Sequence, residues 1–133
     1  MTQPPAATTV WIVDNDLGFV WWLGEVFTEA GCRALPALSS EQAISLMKKL
    51  DVGIDLLVVN PQLSGVGGLV HGLTRAHPKL KIVAIGELSP GLAAAIRPQA
   101  NLERPAASEA ISRSEWVKKV RKLLKEVSVA AAV

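Results

Sequence analysis

A chain of 133 residues, half of them hydrophobic, is long enough for one domain with a sizeable core and too apolar for a disordered polypeptide. Its apolar runs, such as 19–23 and 56–59, fall well short of the ~20 residues that a membrane span needs, which excludes a helical membrane protein. The net charge of +2 hides an asymmetry: the segment 113–126 holds six basic residues against two acidic ones, and the remainder is net negative. That segment reads as a solvated helix face, because neither a helix-turn-helix nor an interleaved aromatic platform accompanies it, and nucleic acid is disfavoured as a partner. The single Cys32 supplies no disulfide framework or metal cluster and reads as a small core residue in a reducing, cytoplasmic setting.

Residues 1–7 have neither the basic start nor the apolar stretch of a signal peptide and read as a flexible lead-in. The β-branched apolar run 10–13 then predicts a buried parallel strand. A helix is predicted over 17–30, with Val20, Leu23, Phe27 and Ala30 at helical spacing and Gly31 as its stop. Residues 33–38 predict a weak second strand. Ser39-Ser-Glu-Gln42 has the form of a capping box and opens a helix to Leu50.

A third strand is predicted over 54–59 and a short helix over 68–76, stopped by His77-Pro78. The fourth strand is predicted over 81–85. Residues 92–96 allow one or two helical turns before Pro98, and 101–103 make a poor fifth strand. A small-residue loop over 106–111 follows Pro105. Ser112-Arg-Ser-Glu115 is a second capping box, and the last helix is expected to run to Val127, with 128–133 a frayed tail.

Strands alternating with helices through short loops imply an α/β fold: a doubly wound five-stranded parallel sheet of flavodoxin-like order 2-1-3-4-5 with helices on both faces, as one domain over 1–133. In such sheets a ligand site lies beyond the carboxyl ends of the strands. That places Asp14, Asn15, Asp16, Asn60, Gly86 and Arg104 around one pocket.

The segment from Asp55 to Gly68, a buried strand running through Asn60 into Leu63, Gly65 and Gly68, resembles the phosphoacceptor segment of two-component response-regulator receiver domains. Val13-Asp14-Asn15-Asp16 resembles the acidic pair after the family's first strand, and Arg104-Pro105 the Lys-Pro after its fifth. The three anchors, in order and at strand ends, span most of the chain. The resemblance implies the CheY-like fold and a place in two-component signal transduction.

The departures from that pattern fall on the chemistry. A working receiver holds magnesium through carboxylates, and magnesium prefers charged oxygens in octahedral array. Here the second acidic position is Asn15 and the acceptor position is Asn60, a carboxamide that is a poor nucleophile. Asp14 is the one weak metal candidate, and Asp16 occupies a position that in the family points toward the first helix. Gly86 stands where the family has a hydroxyl, and Asn101 where it has its switch aromatic. Arg104 keeps a cation but is not equivalent to lysine; it is expected to pair with Asp14 and hold the pocket shut, the alternative being an anion-binding role. The resemblance therefore implies a degenerate, pseudo-receiver type: no enzyme, no cofactor, magnesium at most weakly, and no catalytic residue. The alternatives are a receiver phosphorylated at Asp14 or Asp16, and a flavodoxin-like ligand-binding domain.

Other constellations are weaker. His71 and His77 lack a metal-ligand set, and the glycines at 65–68 lack the lysine and hydroxyl of a phosphate loop. Trp21 and Trp22 are adjacent on one helix, so at most one can face the core. With Trp116 they are candidate interaction residues for a protein partner or a second copy of the chain. The family's usual dimer face, on the fourth helix, fifth strand and last helix, is weakened here by the shortened segment 92–96.

Overall fold

The computed structural model describes residues 8–50, 53–105 and 112–132. The elements are β1 (Thr9–Val13), α1 (Leu17–Glu29), β2 (Arg33–Ala37), α2 (Ser40–Leu50), β3 (Leu56–Val59), α3 (Val66–Ala76), β4 (Lys81–Ile85), α4 (Pro90–Ile96), β5 (Ala100–Leu102) and α5 (Arg113–Ala132). All strand pairs are parallel, in the order β2-β1-β3-β4-β5. The expected α/β architecture is therefore the observed one.

Period-two alternation divides the sheet residues between two cores. Val10, Ile12, Leu56, Val58, Val83 and Ile85 pack against α1 and α5. Trp11, Val13, Leu57, Val59 and Ile82 pack against α2, α3 and α4. Trp11 is fully buried, and its Nε1 is the one buried side-chain polar atom without a hydrogen-bond partner among the described residues. Helix α1 buries Val20, Leu23, Val26 and Phe27, each contributing about 1.5–3 kcal/mol. It ends in a Schellman motif: Gly31 at φ +95° donates to Thr28 O and Cys32 N–H donates to Phe27 O. On β2, Arg33 N–H and Ala37 C=O bond inward, so Pro36 turns its donorless nitrogen to the free edge of the sheet.

Several boundaries differ from expectation. Helix α3 starts at Val66, two residues before the predicted start, with Gly65 as its left-handed N-cap. Helix α4 starts at Pro90, because the Ser89 hydroxyl accepts from Leu92 N–H and Pro90 needs no partner in the first turn. Ile54 is buried but precedes β3, and β5 lies one residue earlier than predicted. Helix α5 continues to Ala132, so the tail expected from residue 128 is helical to its penultimate residue. At α2 the Ser39 hydroxyl accepts from Gln42 N–H, while the Gln42 side chain reaches back to Leu38 N–H, one residue beyond the usual box. Residues 1–7 and the loop expected over 106–111 lie outside the described residues.

Candidate functional site

The carboxyl ends of β1, β3, β4 and β5 bring Asp14, Asn60, Gly86 and Arg104 to one edge of the sheet. Of the six residues expected around one pocket, Asp14, Asp16 and Arg104 bond to one another, Asn60 and Gly86 bond to other partners, and Asn15 is exposed, so the strand ends carry two differently built halves.

The first half is ionic and joins β1 to β5. Asp14 is buried, with 2% of its surface exposed. Both of its oxygens receive the Arg104 guanidinium, Nη1 on Oδ2 and Nη2 on Oδ1, the latter at 3.3 Å. This planar fork suits a carboxylate as a lysine ammonium would not. Asp14 Oδ1 also accepts from Asp16 N–H at 2.9 Å. Asp16 is the N-cap of α1, accepting from Phe19 N–H at 3.1 Å, and its other oxygen lies 3.5 Å from Arg104. The guanidinium carbon sits 4.2 Å above the centre of the Phe19 ring, a cation–π contact. Asn15, between the two aspartates, is exposed.

The second half is neutral and joins β3, β4 and β5. Asn60 Oδ1 accepts from Gln62 N–H at 2.8 Å, an Asx turn that shapes the loop after β3. Gln62 Nε2 donates to Glu87 O at 2.9 Å. From the other side Asn101 Nδ2 donates to Ala84 O at 3.1 Å and to Gly86 O at 3.0 Å. Two carbonyls converging on one end of the amide leave only the nitrogen able to occupy it. Gly86 N–H donates to Leu102 O at 2.9 Å. Gly86 itself has φ +117°, a conformation that a residue with a side chain adopts only under strain.

Three contributors were not read from the sequence as site residues. Phe19 gave only an apolar position on a helix, and its stacking on Arg104 is a tertiary fact. Gln62 lies in the loop after β3, and its side-chain amide spans to the loop after β4. Asn101 was read as a missing aromatic; its polar head, next to a strand end, was the available signal.

Around the site, Trp22 turns inward, stacked on Phe19 at 6.0 Å and edge-on to Trp116 at 5.4 Å. Trp21 is 68% exposed, with Leu17 exposed one turn before it. It lines a groove of about 450 Å³ between α1 and β2. Lys118, Lys122 and Lys125 are exposed on α5, while Lys119 lies over the Trp116 ring. Cys32 is buried, and burial first, then the Asp55 carboxylate, pushes its thiol above the usual range. Among the described residues no group of three or more His, Cys, Asp or Glu is placed to hold a metal, and no helix is long and apolar enough to cross a membrane.

No protein-family model and no curated protein matches the sequence. Solved structures do match in fold. The CheY-like response regulator receiver domain protein from Methanospirillum hungatei superposes with a TM-score of 0.73 at 14% identity, over 94% of this chain and 99% of that one. The signal receiver domain of an HD domain-containing protein from Pseudomonas fluorescens gives 0.71 at 15% identity, over 92% and 98%. The CheY-like receiver domain from Methylobacillus flagellatus gives 0.68 at 19% identity, over 92% and 99%. With the same strand order and near-complete mutual coverage, the fold of this chain is that of CheY-like response-regulator receiver domains.

Proposed function

We propose that this chain is an atypical receiver that acts in signal transduction through phosphorylation-independent protein–protein contact, in the cytoplasm and without enzymatic activity of its own. One observation carries the reading. The acceptor position at the end of β3 is Asn60, and its side-chain oxygen is spent on the Gln62 N–H. A carboxamide in that position offers no carboxylate oxygen to attack a phosphoryl group.

The ionic half supports the same reading. A divalent cation would have to displace Arg104 from both oxygens of Asp14, and Asn15 and Asn60 bring no charge to offset its dehydration. The same occupation disfavours Asp14 as an unusual acceptor, and Asp16 is engaged as a helix cap. The donor set is thus a poor fit to magnesium, and binding weaker than millimolar is expected. The partner is taken to be a protein or a second copy of the chain, with the exposed Trp21 as a contact anchor.

The test is incubation of the intact protein with a small phosphodonor and magnesium, read by mass. No phosphoryl adduct is expected at any site. Stable addition of one would overturn the proposal, and mapping it to Asp14 or Asp16 would establish the alternative acceptor.

A further inference from the structure

We propose that Asn101 and Gln62 form a two-sided amide clamp that holds the β4–α4 loop in one conformation, so that the surface built by this loop, α4 and β5 is presented constitutively. The inference rests on the reading above for its biological meaning, since it describes how a receiver without phosphoryl chemistry is regulated: at this surface, it is not. Its structural content stands on the hydrogen bonds alone.

The loop leaves β4 at Ile85 and enters α4 at Pro90. Four bonds fix its first residues. Gly86 is held at both ends of its peptide groups, its N–H on Leu102 O and its C=O on Asn101 Nδ2. Asn101 spends its second amide hydrogen on Ala84 O, so it bridges the last turn of the strand and the first residue of the loop. The next carbonyl, Glu87 O, is taken from the opposite side by Gln62 Nε2. Gln62 is itself oriented by the Asn60 side chain, so the clamp is anchored in β3 as well as β5.

Every member of this chain is a neutral amide. Its state therefore does not follow the charge of the pocket, and a ligand changes a conformational equilibrium only by interacting differently with its two states. Both hydrogens of the Asn101 amide are committed, and turning the side chain outward would break two hydrogen bonds together. Gly86 adds a backbone reason: at φ +117° the loop follows a path that a hydroxyl-bearing residue would resist. Asn101 and Gln62 are positioning residues for this surface.

The experiment uses the full chain, with backbone amide exchange and microsecond–millisecond relaxation dispersion on the unmodified protein and on Asn101→Asp, Asn101→Ala and Gln62→Leu. Asn101→Asp keeps the shape and removes the donor, placing an oxygen against two carbonyls. The unmodified protein should show no dispersion across 86–96. In Asn101→Asp the Gly86 amide, whose own bond to Leu102 O is retained, should exchange about tenfold faster because the loop opens more readily once the bonds from Asn101 to Ala84 O and Gly86 O are lost, and dispersion should appear across 86–96. Amides in the centre of β1 and β3 should keep their protection. Gln62→Leu should give a smaller effect confined to the same loop.

Dispersion at 86–96 in the unmodified protein would overturn the single-state claim. Unchanged Gly86 exchange in both Asn101 variants would remove the clamp, and a uniform acceleration over the whole sheet would reduce Asn101 to a general stabilising residue. None of these outcomes depends on phosphodonor labelling, so failure of the clamp and failure of the functional reading are separable.

Discussion

The two halves of the strand-end site solve the same problem with opposite chemistry. Between β1 and β5 a buried carboxylate is held by a guanidinium fork that itself rests on an aromatic face. Between β3, β4 and β5 three side-chain amides tie loop to loop with no charge at all. The ionic half is strong only while complete, since removing one partner strands the other in a low-dielectric place. The amide half is a sum of smaller terms, each worth about 0.5–1.5 kcal/mol. A site that does phosphoryl transfer needs its charges free for metal and substrate; here they are used on each other.

The largest way to break the comparison is Arg104→Met. It leaves Asp14 buried without its partner, and urea denaturation should show a loss of about 3 kcal/mol, the low end for a broken buried pair because the Arg104 side chain is 29% exposed. Adding Asp14→Asn to that variant should recover part of the loss, because no unpaired charge remains. If the double variant were as unstable as the sum of the two single ones, the pair would be uncoupled and the ionic half would be mere adjacency.

In the amide half the expected costs are smaller. Gly86→Ala should destabilise by about 1–2 kcal/mol, through backbone conformation and not crowding. A Cβ there would meet nothing nearer than Pro61 Cδ at 3.8 Å, and the strain comes from φ +117°. An unchanged denaturation midpoint would mean that the loop relaxes freely, against the clamp. Gly86→Ser should behave like Gly86→Ala, since a hydroxyl does nothing for the backbone.

The comparison can also be sharpened by converting one half into the other. Asn15→Asp together with Asn60→Asp brings two carboxylates toward Asp14. Without metal the variant should lose about 1 kcal/mol to like-charge repulsion. Millimolar magnesium should then raise its thermal midpoint and leave that of the unmodified protein unmoved. Stabilisation of the unmodified protein at sub-millimolar magnesium would show that Arg104 yields Asp14 readily, and the ionic half would no longer be self-contained.

How much of this was legible differs by level. The buried strand at 10–13 was legible as a continuous apolar run with β-branched residues, a local pattern, whereas the strand order rested on strand–helix alternation, right-handed crossovers and the flavodoxin-like arrangement. The start of α4 carried a readable sign, serine followed by proline, whose weight was hidden by the weak apolar pattern around it. The start of α3 is a tertiary override: Gly67 and Gly68 are poor helix formers, yet buried Val66, Leu69 and Val70 pull the turn into the helix. In the site, the pairing of Asp14 with Arg104 followed from topology and charge. Phe19 over Arg104, and the direction in which the Gln62 and Asn101 amides point, depend on side-chain rotamers that sequence spacing does not encode.

The smallest expected effect lies outside both halves and tests whether they are insulated from the exposed face of α1. Trp21 and Trp22 are neighbours in sequence with opposite fates. Trp22 lies between Phe19 and Trp116, and so touches the ring on which Arg104 rests. Trp21 faces solvent beside Leu17. Trp21→Ser should therefore change stability by less than about 0.5 kcal/mol, as for a surface position. Fluorescence emission should move to shorter wavelength, because the exposed indole is lost while Trp11, Trp22 and Trp116 stay in apolar surroundings. Trp22→Leu should cost more and disturb Arg104 through Phe19. If Trp21→Ser also lowers self-association in sedimentation, the exposed indole is a contact between copies of the chain. A monomer at every concentration before and after the change would leave Trp21 for a different protein partner, and a large stability loss would mean that this indole is packed and not presented.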